Sequence, residues 1–270
     1  MPRQGGGAYF SRALLERCMD DAPVLRYWGD KDFNLLPLPE RHDQITDWLV
    51  SQVAPLLENL DPMARHVAGY DFARKRHMSV IAPMEIGATL HRTCPFLIEL
   101  NNVPHMQQLQ IFEFVAKGLP RFSGAAIDAS GNGSFVAEGA ADIFGSSIIQ
   151  VMFTESWYRE WMPRYRALYE DHMITVPRHD DVLEDHRSVT LVRGVPRIPD
   201  MSTDKRGARH GDSAIALALA TQAEDERRVE YDYQAVRPAR DPDEDRDDDH
   251  YGMHTRAHWG GRNRMARRMH

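Results

Sequence analysis

Three aspartates stand where a fold could bring their carboxylates together: Asp71 in GYDFAR, Asp128 in AAIDASGNG and Asp212 in RHGDSAIALALA. Phosphodiester hydrolysis by two metal ions needs carboxylates that converge on cations about 3.5–4 Å apart. The hard cations Mg2+ and Mn2+ prefer such oxygen ligands. Asp71 closes a short apolar run, where an aspartate is disfavoured and needs a reason. Asp128 follows a second apolar run and is equally readable as a turn residue ahead of Gly131 and Gly133. Asp212 is readable as a plain helix N-cap. However, Ile215, Ala216 and Leu219 follow it at helical spacing, so it heads the face expected to pack on a sheet.

Basic residues flank two of the three. Arg74, Lys75 and Arg76 follow Asp71, while Lys205, Arg206, Arg209 and His210 precede Asp212. The first cluster could contact a DNA phosphate backbone and is equally readable as solvated loop. The second could steer a phosphate or stabilise developing charge but reads first as solvated loop. Trp157, Tyr158, Trp161 and Tyr165 sit at helical spacing and read as core or a packing surface. His179, Asp180, Asp181, Glu184, Asp185 and His186 read as a solvated helix face rather than a metal cluster. The sequence holds no G-x-x-x-x-G-K-[ST], G-x-S-x-G or H-E-x-x-H pattern, which excludes a P-loop ATPase motif, a nucleophile elbow and a zincin helix from it.

The elements that must position these residues are legible from periodicity. Residues 66–72, 78–86 and 89–100 read as strands, with Gly87 marking a hairpin, so the first three strands are expected to be antiparallel. Pro104 opens and Gly118 stops a helix. Residues 123–128 then read as a buried strand, 134–144 as a helix of small residues, and 147–153 as another strand. A helix follows over 155–171, which Pro163 could kink, then an extended stretch over 173–176 and a helix over 181–189. A hairpin or edge element at 191–198 and a short helix over 212–222 complete the pattern. Strands separated by helices imply parallel crossovers. The fold class is therefore α/β: a mixed sheet in RNase H-like order, three antiparallel strands followed by parallel β-α-β crossovers, flanked by helices.

Composition sets the outer bounds. The chain has 270 residues, is 42% hydrophobic and 27% charged, and carries a formal charge of -7. Residues 241–249, DPDEDRDDD, hold seven acids and one arginine, so most of that negative charge is local and does not exclude a DNA partner. No run approaches the roughly 20 apolar residues of a membrane helix, and the N-terminus lacks a secretory h-region. Cys18 and Cys94 match no zinc spacing and read as free thiols of a reducing compartment. Residues 1–60 are expected to be a helical linker or the remnant of an ATPase domain, 61–225 the α/β domain, and 226–270 a charged, disordered tail.

With these residues assembled, residues 61–223 resemble the C-terminal nuclease domain of a phage terminase large subunit, of the Mu-like prophage type. The resemblance is carried by GYDFARKRHMSVI, IELNNVPHMQQ, AAIDASGNGSFVAEGA, MITVPRHDDVLEDHRSVTLV and RHGDSAIALALA. It implies an RNase H-like endonuclease that cuts concatemeric phage DNA during genome packaging. The two Mg2+ or Mn2+ ions of such a site map onto Asp71, Asp128 and Asp212. It also implies double-stranded DNA as substrate, docking with an ATPase domain, a small terminase subunit and a portal protein, and a place in the bacterial host cytoplasm. The sequence lacks the ATPase motor of a complete large subunit, which suggests an isolated domain, a split gene or a prophage remnant. Two rivals stand beside this reading: another RNase H-like nuclease of resolvase or transposase type, and a non-catalytic packaging remnant.

Overall fold

The strand-forming runs of the sequence gather into one nine-stranded mixed sheet. The structure is a computed structural model and describes residues 8–73, 78–199 and 211–226. These lie in a first unit, Met1–Glu230; the second, Tyr231–His270, falls outside the described residues, as does the tail expected to be disordered.

Before the expected domain, the chain forms α1 (Arg12–Glu16), β1 (Met19–Asp20), β2 (Val24–Trp28), α2 (Lys31–Leu35), α3 (Leu38–Trp48) and α4 (Ala54–Glu58). A widened π-turn over Leu49–Val53 joins α3 to α4, next to Pro55, which cannot donate to the helical ladder. The described part of residues 1–60 thus holds strands as well as helices. VLRYW, rich in branched and aromatic side chains, is a strand and joins the main sheet.

Then come β3 (Arg65–Asp71) and β4 (Ser79–Ile86), antiparallel as expected. The third expected strand is broken in two: β5 (Arg92–Thr93) and β6 (Leu97–Asn101). Pro95 lies between them, and a proline supplies no N–H for a ladder. Both pieces pair antiparallel with β4, at opposite ends of it, so the sheet forks. β6 pairs on with β2, while β5 leads towards the other prong.

The crossovers follow: α5 (His105–Gly118), β7 (Phe122–Asp128), α6 (Ser134–Phe144), β8 (Ile148–Val151), α7 (Glu155–Glu170) and β9 (Ile174–Pro177). β7 is parallel to β3, and β8 to β7. Pro163 is accommodated within α7 without splitting it. β9 does not extend this edge. It crosses to the far prong, parallel to β5 and β1. The chain closes with α8 (Asp180–Ser188), the hairpin β10 (Thr190–Val192) and β11 (Val195–Arg197), and α9 (Asp212–Glu226).

Two cores result, one on each face of the sheet. Tyr70, Ile98, Phe112, Ile127 and Val136 belong to one, under α5 and α6. The other holds Val67, Val80, Trp161 and Tyr165, with α9 running through it between the sheet and α7. Every residue of α9 from Asp212 to Glu224 is buried. That is why ALALA shows no polar face: the helix has apolar neighbours all round. Its approach to β3 is set by Gly69, where an added Cβ would stand 1.9 Å from the Ala216 carbonyl oxygen. Cys18 and Cys94 are buried free thiols. Among the described residues no helix is long and apolar enough to cross a membrane.

Candidate metal site at the sheet rim

Side chains alternate across a strand, and this rule delivers two of the aspartates to one place. In β3, Ala68, Tyr70 and Phe72 point into the α5–α6 core, while Val67 and Gly69 face α9. Asp71, two residues beyond Gly69, therefore emerges on the α9 face at the end of the strand. In β7, Ala125 and Ile127 take the α5–α6 side and Ala126 the α9 side, which puts Asp128 on the α9 side too. The parallel register runs Gly69↔Ala126 and Tyr70↔Ile127, so one further step sets Asp71 beside Asp128. Carboxyl ends of adjacent parallel strands are where open α/β sheets place their sites. The start of α9 brings Asp212 over the same rim.

Asp71, Asp128 and Asp212 line a single cavity of about 370 Å³, together with Phe72, Phe153, Tyr158, Ile198 and Ile215. Asp128 and Asp212 are buried, and Asp71 is partly open to the cavity. Asp128 does act as a turn residue: its Oδ1 accepts the Ser130 N–H at 2.8 Å. The same residue lines the cavity, so the two readings of it are compatible. Asp212 does more than head a helix, since its Oδ2 accepts the Met78 N–H at 3.3 Å across the entry to β4.

Among the described residues the cavity is lined by three carboxyls and by no Lys, Arg or His. The carboxyl of Asp71 is pushed well above the ordinary aspartate range, first by burial and then by the charges of Asp212, Asp128 and Asp185. Burial likewise raises Asp128 to about 6, against the lowering effect of Ser130. Several carboxylates held together at the edge of an apolar core are unfavourable unless protons or cations neutralise them. The donor set is all oxygen, which suits a hard divalent ion. Among the described residues no three His, Cys, Asp or Glu side chains are already drawn in to metal-ligating distance. The trio therefore rings the cavity rather than closing on one point.

The basic residues expected to touch DNA, Arg74, Lys75, Arg76, Lys205, Arg206, Arg209 and His210, all lie outside the described residues. The aromatic group divides: Trp157, Trp161 and Tyr165 are core, whereas Tyr158 borders the cavity. The acidic group divides as well. Asp185 and His186 are buried, contrary to a solvated helix face. They fall three and four residues after the buried Val182, a spacing that could have placed them inward.

No family model matches the chain. Over 230 residues, 83% of its length, it is 41% identical to the probable terminase large subunit gp28 of Escherichia phage Mu. Over 226 residues, again 83% of its length, it is 39% identical to the Mu-like prophage FluMu protein gp28 of Haemophilus influenzae. The chain spans less than half of either relative, 42% and 44%. The crystal structure of the HK97 bacteriophage large terminase superposes on 80% of this chain, and 43% of that one, with a TM-score of 0.52 at 10% identity. The large terminase nuclease of thermophilic phage G20c with bound magnesium superposes on 60% of this chain, and 82% of that one, with a TM-score of 0.50 at 20% identity. The structural likeness establishes the RNase H-like fold, and the sequence likeness bears out the resemblance to Mu-type large terminase subunits.

Proposed function

We propose that this chain is the nuclease portion of a phage large terminase and cuts double-stranded DNA with the help of divalent cations. One observation carries the reading: the C-terminal ends of β3 and β7 and the start of α9 present Asp71, Asp128 and Asp212 to a single cavity. The relatives named as terminases and the magnesium-bound nuclease of similar fold support it.

In this reading the three carboxylates hold two Mg2+ or Mn2+ ions, which when bound activate water and stabilise the leaving 3′ oxygen. The chain's own contribution is placement. Strand register fixes Asp71 against Asp128, and the Ser130 N–H orients Asp128. Packing at Gly69 fixes the distance of α9, and with it Asp212, from the sheet. Phe72, Phe153 and Ile198 line the cavity beside the carboxylates, and apolar neighbours strengthen a carboxylate's attraction for cations. Arg74, Lys75, Arg76, Lys205, Arg206, Arg209 and His210 are the candidates for holding the phosphate backbone. An ATPase domain, a small terminase subunit and a portal protein are the proposed partners, and the bacterial host cytoplasm the place of action.

The test is Mn2+-dependent nicking of a supercoiled plasmid. Asp71→Ala, Asp128→Ala and Asp212→Asn should each reduce the rate by at least about a thousandfold while the circular dichroism of the fold persists. Full activity in any two of them would sink the assignment. Strong preference for branched over linear duplex would move the chain to the resolvase class.

A further inference from the structure

The first turn of α9 is gripped by a residue outside the aspartate trio. Asp185, near the end of α8, is 2% exposed. Its Oδ2 accepts two bonds from Ser213, one from the backbone N–H at 3.1 Å and one from the hydroxyl at 2.7 Å. Ser213 is the residue directly after Asp212. On the other side of Asp212, Gly211 turns the chain at φ +80°, with Ser188 Oγ and Ile198 where a side chain would begin. The end of α8 thus bonds one neighbour of Asp212 and packs close against the other.

A neutral hydroxyl cap would satisfy a helix start at less desolvation cost than a buried carboxylate. Here the carboxylate reaches across from another helix and bonds two donors of one residue. Charge-assisted bonds of this kind are shorter and more directional than neutral ones, and the positive end of the helix dipole favours them. Such an arrangement restricts rotation and lift of the first turn, which is where the Asp212 carboxylate originates.

We propose that Asp185 is a positioning residue: through Ser213 it sets the direction in which Asp212 presents its carboxylate to Asp71 and Asp128. This rests on the reading of the trio as a divalent-cation site. It assigns Asp185 no contact with substrate or cation. Partners that orient ligands typically carry about ten- to a hundredfold in metal affinity or activity.

The experiment is calorimetric titration of the full chain with Mn2+, well below each variant's melting temperature, beside a metal-free melt. Asp185→Ala should weaken Mn2+ binding by about tenfold or more. Asp185→Asn keeps one oxygen able to accept both Ser213 bonds and should restore affinity to within about threefold of the parent. Ser213→Ala, which removes one donor of the two, should fall between them. If Asp185→Ala melts lower yet binds Mn2+ like the parent, the residue is only structural and the proposal is overturned. If that variant does not fold, an unchanged Mn2+ affinity in Ser213→Ala overturns it instead. The parent and Asp212→Asn separate the two levels of the argument. A parent that binds no Mn2+ removes the cation site itself. Loss of binding in Asp212→Asn, with none in the Asp185 and Ser213 variants, removes only the positioning role.

Discussion

The two ends of α9 solve the same problem in opposite ways. Each end buries a carboxylate against the sheet. At the C-terminal end, Glu224 is held by Arg92 through two bonds of 3.0 and 2.9 Å, with Arg65 3.6 Å away. Burial still raises Glu224, but the two guanidinium groups oppose that rise. At the N-terminal end, Asp212 shares a cavity with Asp71 and Asp128, and the charges of Asp212 and Asp128 add to the burial that raises Asp71. One end is neutralised by the protein itself. At the other, the described lining of the cavity is three carboxyls among apolar side chains. A buried pair needs both partners, whereas carboxyls gathered in a cleft with raised pKa values are the pattern of a candidate functional site.

The sharpest way to break this contrast is at the compensated end. Arg92→Ala leaves Glu224 buried without its two-bond partner and should destabilise the fold by about 3–5 kcal/mol. Chemical denaturation measures this, and Mn2+ affinity of the folded fraction should not change. Gly69→Ala disturbs both ends at once, because the new Cβ has no room beneath the Ala216 carbonyl. A loss of about 3 kcal/mol is expected from overpacking. This time Mn2+ binding should weaken as well, since Asp212 moves with the helix. If affinity were kept, Gly69 would not be what sets the height of α9.

Acidity probes the N-terminal end more gently. Asp128 titrates near 6 in the fold, above an unfolded value near 4. A raised carboxyl means that the folded chain binds more protons than the unfolded chain between those values. Its burial penalty is therefore absent below about pH 4 and complete above about pH 6. Asp71 shifts in the same direction. The metal-free chain should lose up to about 3 kcal/mol as pH rises through that window, and Mn2+ should restore it at pH 7 but hardly at pH 5. Asp128→Asn should flatten this profile and raise the metal-free melting temperature slightly, while nicking is lost. A metal-free melt that rises with pH across the window would contradict the electrostatic account.

Much of this was legible before any coordinates. Asp in a strand is a local anomaly, and Asp71 and Asp128 declared themselves by ending apolar runs. Alternation then fixes the face each one takes. The break of the third strand was also written locally, in Pro95, although 89–100 reads as a single apolar run if that residue is passed over. The destination of β9 was not legible. Ile174–Pro177 looks like any short strand, and its pairing with β5 and β1 depends on tertiary packing that no local pattern encodes. The burial of α9 on all sides was half legible: Asp212 heads an apolar face, but nothing in ALALA says that α7 would cover the opposite one. Asp185 was hidden by its setting, a run of charged residues whose inward face shows only when counted from Val182.

The fork in the sheet bears on where the chain can be trimmed. β1 closes one prong against β9, β2 covers the other against β6, and Phe10 and Leu15 are completely buried beside them. A chain trimmed at residue 61 would expose two raw strand edges and leave a hole in the core, an invitation to intermolecular pairing. Any excision should therefore be made upstream of residue 8, because residues 8–58 supply strands to both prongs of the sheet rather than hanging in front of it.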